Sequence, residues 1–232
     1  DLNDRWKERD PNWKPAAYQK EQDPIRGVFA YVADGLLQPG EEAPAHQPQL
    51  LPGQVKLKNI NGDDKLNEED MVLIGRNDPK FIFGFNNNFS YKNFDLNIYM
   101  YGQVGKIAGA NSYYDAWGSY GNRIKLGQNV PVSFKDAWSS DNQTSTRPSF
   151  IESAYGTGDL FLQKISFLRI RNITLGYTVP ISKSICNRLR VYADINNPCV
   201  WTNWKGQDPE TDSNTNAYPN VTSFSIGVDI SF

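Results

Sequence analysis

From Ser223 the chain reads "SFSIGVDISF", in which Phe224, Ile226, Val228, Ile230 and Phe232 alternate with Ser225, Gly227, Asp229 and Ser231. A period of two places the first set on one face of a strand and the second on the other. The same alternation runs through "FIFGFNNNFSYKNFDLNIYMYGQ". Phe81, Phe83, Phe85, Phe89 and Tyr91 share one face, and Gly84, Asn86, Asn88 and Ser90 the other, with Asn87 the one lapse. After Lys92 and Asn93 the phase resumes as Phe94, Leu96, Ile98 and Met100 against Asp95, Asn97, Tyr99 and Tyr101. This predicts a hairpin with a two-residue turn, Asn93 being suited to a positive φ.

A second hairpin follows in "NITLGYTVP" and "LRVYADI". Ile173, Leu175, Tyr177 and Val179 alternate until Pro180 stops the strand; Leu189, Val191, Ala193 and Ile195 then take one face, and Arg190, Tyr192, Asp194 and Asn196 the other. Leu168 and Ile170 are out of phase with Ile173 and Leu175, which predicts a bulge or a membrane rim near residues 169–172. The predicted strands are therefore about 81–91, 94–103, 163–179, 188–201 and 221–232, with long loops at 104–162 and 202–220. Residues 1–80 read as a further loop region.

Composition decides what such strands are for. Mean hydropathy is -0.59, and no apolar run approaches the roughly 18 residues of a membrane helix. That leaves a membrane β-barrel open, because a barrel strand needs one apolar face only and its average hydropathy looks soluble. A half-buried strand of a soluble sandwich gives the same alternation. Short turns alternating with long loops are the asymmetry of outer-membrane barrels. A structureless loop of some 60 residues argues against a compact soluble domain. Tyr91 and Phe94 at the turn, and Tyr99 and Tyr101 at the far end, fit the aromatic girdles at the two bilayer interfaces. Lys+Arg of 24 against Asp+Glu of 26 leaves no basic field for nucleic acid.

With these residues in place, "GVFAYVADGLLQ", "PGQVKLKNINGDDKLNEEDMVLIGRNDPKFIFGFNNNFSYKNFDLNIYMYGQ", "FLRIRNITLGYTVP", "LRVYADINNPCVWTNWKGQDPE" and "SFSIGVDISF" resemble the closing part of SusC/RagA-type TonB-dependent outer-membrane transporters. The resemblance implies an all-β fold: the last antiparallel transmembrane strands of a barrel of about 22 strands, with long extracellular loops and residues 1–80 among them. It further implies a SusD-like surface lipoprotein as a lid and import of oligosaccharide or peptide fragments. Drive by the TonB complex would act through an N-terminal plug region upstream of Asp1, and transporter–lipoprotein pairs can dimerise. The location implied is the outer membrane of a Gram-negative bacterium, in contact with its lipid. Phe232 would be the terminal aromatic read by the barrel-insertion machinery. Asn86, Asn88, Asp95, Asn97, Tyr99, Arg190, Tyr192, Asp194 and Asp229 would face the lumen.

The strongest local motif is "NINGDDKLNEED" at residues 59–70. As an EF-hand-like loop it offers Asn59, Asn61 and Asp63 at positions 1, 3 and 5, the Lys65 carbonyl at 7 and Asp70 at 12. The pattern is worn, with Asp64 where glycine usually supplies a positive φ. Weakly bound calcium and a metal-free polar turn are both open, and no cofactor is required. Catalysis has no motif: His46, in "EEAPAHQPQ", reads as a solvated loop histidine, and Glu68, Glu69 and Asp70 as a solvated loop face. Cys186 and Cys199 lie at opposite ends of one predicted strand, roughly 40 Å apart at 3.3 Å per residue, which excludes a disulfide between them. Tyr113, Tyr114, Trp117, Tyr120, Trp138, Trp201 and Trp204 crowd the predicted outer loops. Of these, Trp117, Tyr120, Trp138, Trp201 and Trp204 are candidates for stacking on sugar rings or peptide side chains, the alternative being packing within the loops.

Two functional classes follow: a segment of a transporter barrel, and a secreted all-β carbohydrate- or protein-binding module with a dockerin-like calcium loop. Burial of Phe83, Phe85, Ile98 and Ile226 together in one core would favour the module. Five strands cannot close a barrel, which takes about eight or more, so the transporter reading expects the remaining strands elsewhere in the polypeptide.

Overall fold

The computed structural model describes residues 26–109, 126–127, 129, 132–150, 153–181, 186–205, 208–211, 218 and 220–232. The chain divides into two compact units: Asp1–Asn77 with Ile107–Gln163, and Asp78–Lys106 with Lys164–Phe232.

The first unit is built on four short strands that the alternation did not reveal. β1 (Gly27–Ala30) is the first; β2 (Ala33–Leu36) pairs antiparallel with β3 (Val55–Leu57), and β4 (Val72–Arg76) pairs antiparallel with β1. In β3 the period of two turns Val55 and Leu57 inward while Lys56 reaches out to Glu41. Leu36, Val55 and Leu57 form the core, with Tyr31, Ala33, Leu66, Trp138, Tyr155 and Leu160 packed on it. Gln47, fully buried, serves as a substitute strand neighbour for β3: its Oε1 accepts from Leu57 N at 2.7 Å and its Nε2 donates to Val55 O at 3.5 Å. Residues 27–77 thus carry four short strands of their own.

The second unit is a five-stranded sheet in the order of the chain: β5 (Phe81–Tyr91), β6 (Phe94–Gly109), β7 (Leu162–Val179), β8 (Arg188–Thr202) and β9 (Ser223–Ser231). β5 and β9 match the 9 to 11 residues or so that span a bilayer. β6 to β8 are longer, and β6 runs to Gly109, well beyond the predicted end at residue 103. The registers set like against like: Phe85 opposes Met100 and Phe89 opposes Leu96, while Leu175, Ala193 and Ile226 lie in one row, as do Tyr177, Val191 and Val228.

Two local predictions shift. The left-handed residue of the β5–β6 turn is Lys92 (φ 54), not Asn93. The bulge lies where expected along β7, between Ile170 and Asn172, but its extra residue belongs to β8. There Asn197 and Pro198 stand against Arg171 alone, and Asn197 absorbs the mismatch at φ 49.

Candidate functional site

The outer-facing rows of the sheet have no core to enter. Phe85 is 60% and Ile226 83% exposed, and Phe81, Phe89, Tyr91, Phe94, Leu175, Val191, Phe224, Val228 and Ile230 are exposed as well. Phe83, Phe85, Ile98 and Ile226 do not converge in one core as a two-sheet sandwich requires. A contiguous apolar face of this extent is a membrane or partner surface. Its aromatic ends are Phe81 and Phe83, whose rings stack at 5.7 Å, and Phe94 with Tyr177, at 4.7 Å beside the turn. Alternation places Tyr99 and Tyr101 on the opposite, polar face, so Phe81 and Phe83 take the far-end place expected for those tyrosines.

The polar face is cross-linked. Arg190 donates from Nε and Nη2 to Asp95 Oδ1 and Oδ2 (3.0 and 2.6 Å) and from Nη1 to Asp229 Oδ2 (3.0 Å), tying β6, β8 and β9. It passes over β7 at Gly176, where a Cβ would lie 2.5 Å from both Arg190 and Asp95. Gly227 likewise leaves room for the Tyr192 ring, on which the Arg190 guanidinium sits at 5.1 Å. Asn97 Nδ2 donates to both Asn86 Oδ1 and Asn88 Oδ1 (2.7 and 2.6 Å). Asp194 accepts from Thr174, Asn172 and Asn196. The nine residues expected to face a lumen therefore share one polar face of the sheet, eight of them in this network and Tyr99 beside them.

Above this band lies a buried ion cluster that sequence reasoning missed. Arg169, 2% exposed, donates from Nη2 to both oxygens of Asp208 at 2.8 Å. Its Nε lies 3.0 Å from Glu210 Oε2 without hydrogen-bond alignment. Arg171 Nη2 reaches Glu210 Oε1 at 2.5 Å, and its guanidinium sits 5.7 Å from the Tyr101 ring. Burial acts to raise the Asp208 carboxyl pKa, but the N–H groups of Glu210 and Asn220 and the charge and hydrogen bonds of Arg169 outweigh it and hold the group below the aspartate range.

The loop at 59–70 folds on its own hydrogen bonds. Asp70 is fully buried, and its Oδ1 accepts from Ile60 N (2.7 Å) and Asn61 N (3.4 Å), its Oδ2 from Asn67 N (3.0 Å). Asn67 and Asp70 form a capping box around the 3-10 turn Glu68–Asp70. Asp63 accepts from Lys65 N and Asn67 Nδ2, Asn59 from Gly62 N and Asn61 from Asp63 N. Asp64 does adopt a positive φ of 58. The side-chain oxygens of Asn59, Asn61, Asp63 and Asp70 each accept at least one backbone or amide N–H. Among the described residues no three His, Cys, Asp or Glu side chains gather into a group that could hold a metal ion; the candidate ligand set at 59–70 has two residues of those types, Asp63 and Asp70, beside its asparagine and carbonyl oxygens. Asp70 is accordingly buried rather than part of a solvated acidic face. Burial acts to raise its pKa, but the three backbone donors and nearby His46 hold it down.

His46 is half-buried, and its Nε2 lies 2.7 Å from Leu57 O. A carbonyl only accepts, so Nε2 carries the proton; the ring is a structural tie rather than solvated. Cys186 and Cys199 are free, one before β8 and one near its far end. Among the aromatics, Trp138 packs on the core of the first unit and fills the space beside Gly53. Trp204 is buried, and Trp201 is 56% exposed. Tyr113, Tyr114, Trp117 and Tyr120 lie outside the described residues. Phe232 is exposed, one residue beyond β9.

A sheet with one continuous lipid-compatible face and one cross-linked polar face has the design of a membrane β-barrel wall. No protein-family model matches the chain. It is 27% identical over 236 residues to TonB-dependent receptor P3 of Formosa agariphila, covering 92% of this chain and 23% of that protein. It is 26% identical over 180 residues to TonB-dependent receptor SusC of Bacteroides thetaiotaomicron, covering 74% and 17%. The solved RagAB peptide transporter superposes with a TM-score of 0.69 at 22% identity, over 89% of this chain and 23% of that one. The chain is similar in sequence to these TonB-dependent receptors and in fold to the RagAB transporter, and it spans about a quarter of the length of the proteins it matches. The relatives are receptors and transporters, not enzymes.

Proposed function

We propose that the five-stranded sheet is part of the wall of an outer-membrane barrel that imports peptide or oligosaccharide fragments. The observation that carries this reading is the apolar face across β5 to β9, exposed on every strand and broken only at Asn87 on β5. In water such a face aggregates; in a bilayer it is solvated, while the Arg190 network faces the aqueous interior with its charges paired. The free edges of β5 and β9 then pair with further strands of the transporter, since an open sheet in lipid leaves two rows of unsatisfied backbone groups. A peptide cargo accords with the solved transporter that the fold matches, and an oligosaccharide cargo and a SusD-like lid accord with the resemblance to SusC. Coupling to the TonB complex, and dimers of transporter–lipoprotein pairs, belong to the same proposal.

The test sets two neighbours on β6 against each other. Ile98→Arg puts a charge on the lipid face, at about 2 to 4 kcal/mol near mid-membrane, and should deplete the heat-modifiable folded barrel of the full-length polypeptide. Asn97→Arg, on the polar face, should leave that band nearly intact. Equal effects would overturn the assignment of faces. A polypeptide that stays monomeric and soluble without detergent would favour the secreted module instead.

A further inference from the structure

We infer that the described limbs of the β8–β9 connection, residues 203–205 with 208–211 and residues 220–222, are latched back against the strands they adjoin and form a fixed part of the barrel rim. The inference rests on the barrel reading above.

β8 does not release the chain at Thr202. Asn203 continues the ladder with its side chain: its Oδ1 accepts from Ser166 N (2.8 Å) and its Nδ2 donates to Lys164 O (2.6 Å), while Thr202 Oγ1 donates to Ser166 O. Trp204 is then buried. From there the chain turns back, because Asp208 meets Arg169, which is paired with Val200 inside the strand, and Glu210 meets Arg171 beside the bulge. The returning limb is held at the same level. Asn220 donates from its backbone N and Nδ2 to Asp208 Oδ2 and from Nδ2 to Glu210 Oε2. Asn197 Nδ2 donates to Val221 O, and Thr222 Oγ1 donates to Asn197 O.

Both limbs are therefore pinned to one pair of arginines. Arg169, Arg171, Asp208 and Glu210 sum to zero charge, so the latch stands closed without a counter-ion. Its two best-buried members, Arg169 and Asp208, form a bidentate pair whose separation would strand a charge out of water. The bulge at Asn197 serves the same end: its left-handed turn frees a carbonyl and an amide to grip the returning limb.

The experiment uses the full-length transporter in detergent micelles, with Asp208→Asn and Glu210→Gln compared with wild type by hydrogen exchange at residues 203–205, 208–211 and 220–222 and by proteinase K treatment of intact cells. The latch predicts that Asp208→Asn keeps the heat-modifiable band while exchange at Val221 and Thr222 quickens by about tenfold or more and the segment becomes cleavable from outside. Arg169→Lys, which keeps the charge but loses the fork, should move exchange in the same direction by less. Unchanged exchange and protease resistance in Asp208→Asn would overturn the latch. So would loss of the folded band in that variant, since the cluster would then serve barrel assembly. If wild type itself gave no heat-modifiable form, the barrel reading would fail instead.

Discussion

Two strands of the molecule obey the same alternation with opposite burial. In β3, Leu57 is 1% exposed and lies in a core closed by protein on every side; in β9, Ile226 follows the same period and is 83% exposed. The polar groups are reversed as well. The first unit buries Gln47 and Asp70 and satisfies them with backbone, whereas the sheet gathers Asp95, Arg190, Asp194 and Asp229 on one face and pairs them with each other. A period of two specifies that a strand has two different faces. Which solvent each face meets is set by what the rest of the chain places against it.

The largest expected effect sharpens this contrast at Asp70. Asp70→Ala removes a buried carboxylate that accepts from the Ile60, Asn61 and Asn67 N–H groups, at about 1.5 to 3 kcal/mol for each hydrogen bond to a charged group. Hydrogen exchange on the full-length polypeptide should show residues 59–72 opening while the sheet keeps its protection. Calcium should not restore the loop, and restoration by calcium would return the metal reading. The same carboxyl gives an acid limit. Its folded pKa lies below its unfolded one, so its contribution is complete above the ordinary value of about 3.9 and is lost as pH falls through the folded value. Exchange from this loop should therefore quicken only in strong acid. Asp208 shares the sign, so the β8–β9 latch should loosen in the same range.

A smaller difference separates two apolar truncations. Leu57→Ala loses transfer free energy and leaves a cavity, about 2 to 5 kcal/mol in all. On the barrel reading Ile226→Ala loses only transfer, about 2 kcal/mol at roughly 0.8 per methylene, because lipid would fill the space. Reversible urea unfolding of the full-length polypeptide in lipid vesicles reads both. A cost at Ile226 equal to or above that at Leu57 would mean that β9 packs on protein and is not a lipid-facing wall.

How far the sequence carried depended on the range of each signal. Alternation is local, so the five long strands and both faces were legible, and the bounds of β5 at Phe81–Tyr91 were met. β1 to β4, at three to five residues each, are too short to show a period. The Arg169–Asp208 pair spans 39 residues and carries no local mark. Asp70 was legible both as a cation ligand and as part of a solvated acidic face, but its burial under backbone donors was not, because the offsets of an EF-hand loop and those of a capping box overlap in "NEED". The Asn67 to Asp70 spacing was the signal that pointed to the box. Likewise "NNP" at residues 196–198 marks the β8 bulge, since an asparagine tolerates the left-handed φ that the extra residue needs.

The smallest effect tests whether the two regions differ in backbone as well as in solvent. Besides Asn197 at the β8 bulge, the described left-handed non-glycine residues are Asp64 at φ 58, in a loop turn of the first unit, and Lys92 at φ 54, in the β5–β6 hairpin turn. The cost of that conformation comes from the Cβ against the following carbonyl and should not depend on what surrounds the turn. Asp64→Gly and Lys92→Gly should each relieve it, offset in part by the greater freedom glycine brings to the unfolded chain. The net gain expected is about 0.5 to 1 kcal/mol at each site. Lys92 should gain the more, because aspartate already tolerates the left-handed region through its short polar side chain. Two details temper this: Asp64 has a glycine-free neighbour in Asp63, whose carboxylate bonds to Lys65 N, and Lys92 gives up its ammonium contact over the Tyr91 ring at 5.3 Å. That contact is exposed and contributes about 0.5 to 1 kcal/mol at most, so Lys92→Asn, which tolerates the same φ, brackets the backbone part from below. Denaturant midpoints for the sheet and exchange rates for the 59–70 loop read the two gains. A gain at one turn with a loss at the other would show that the surroundings, and not the backbone, set the strain.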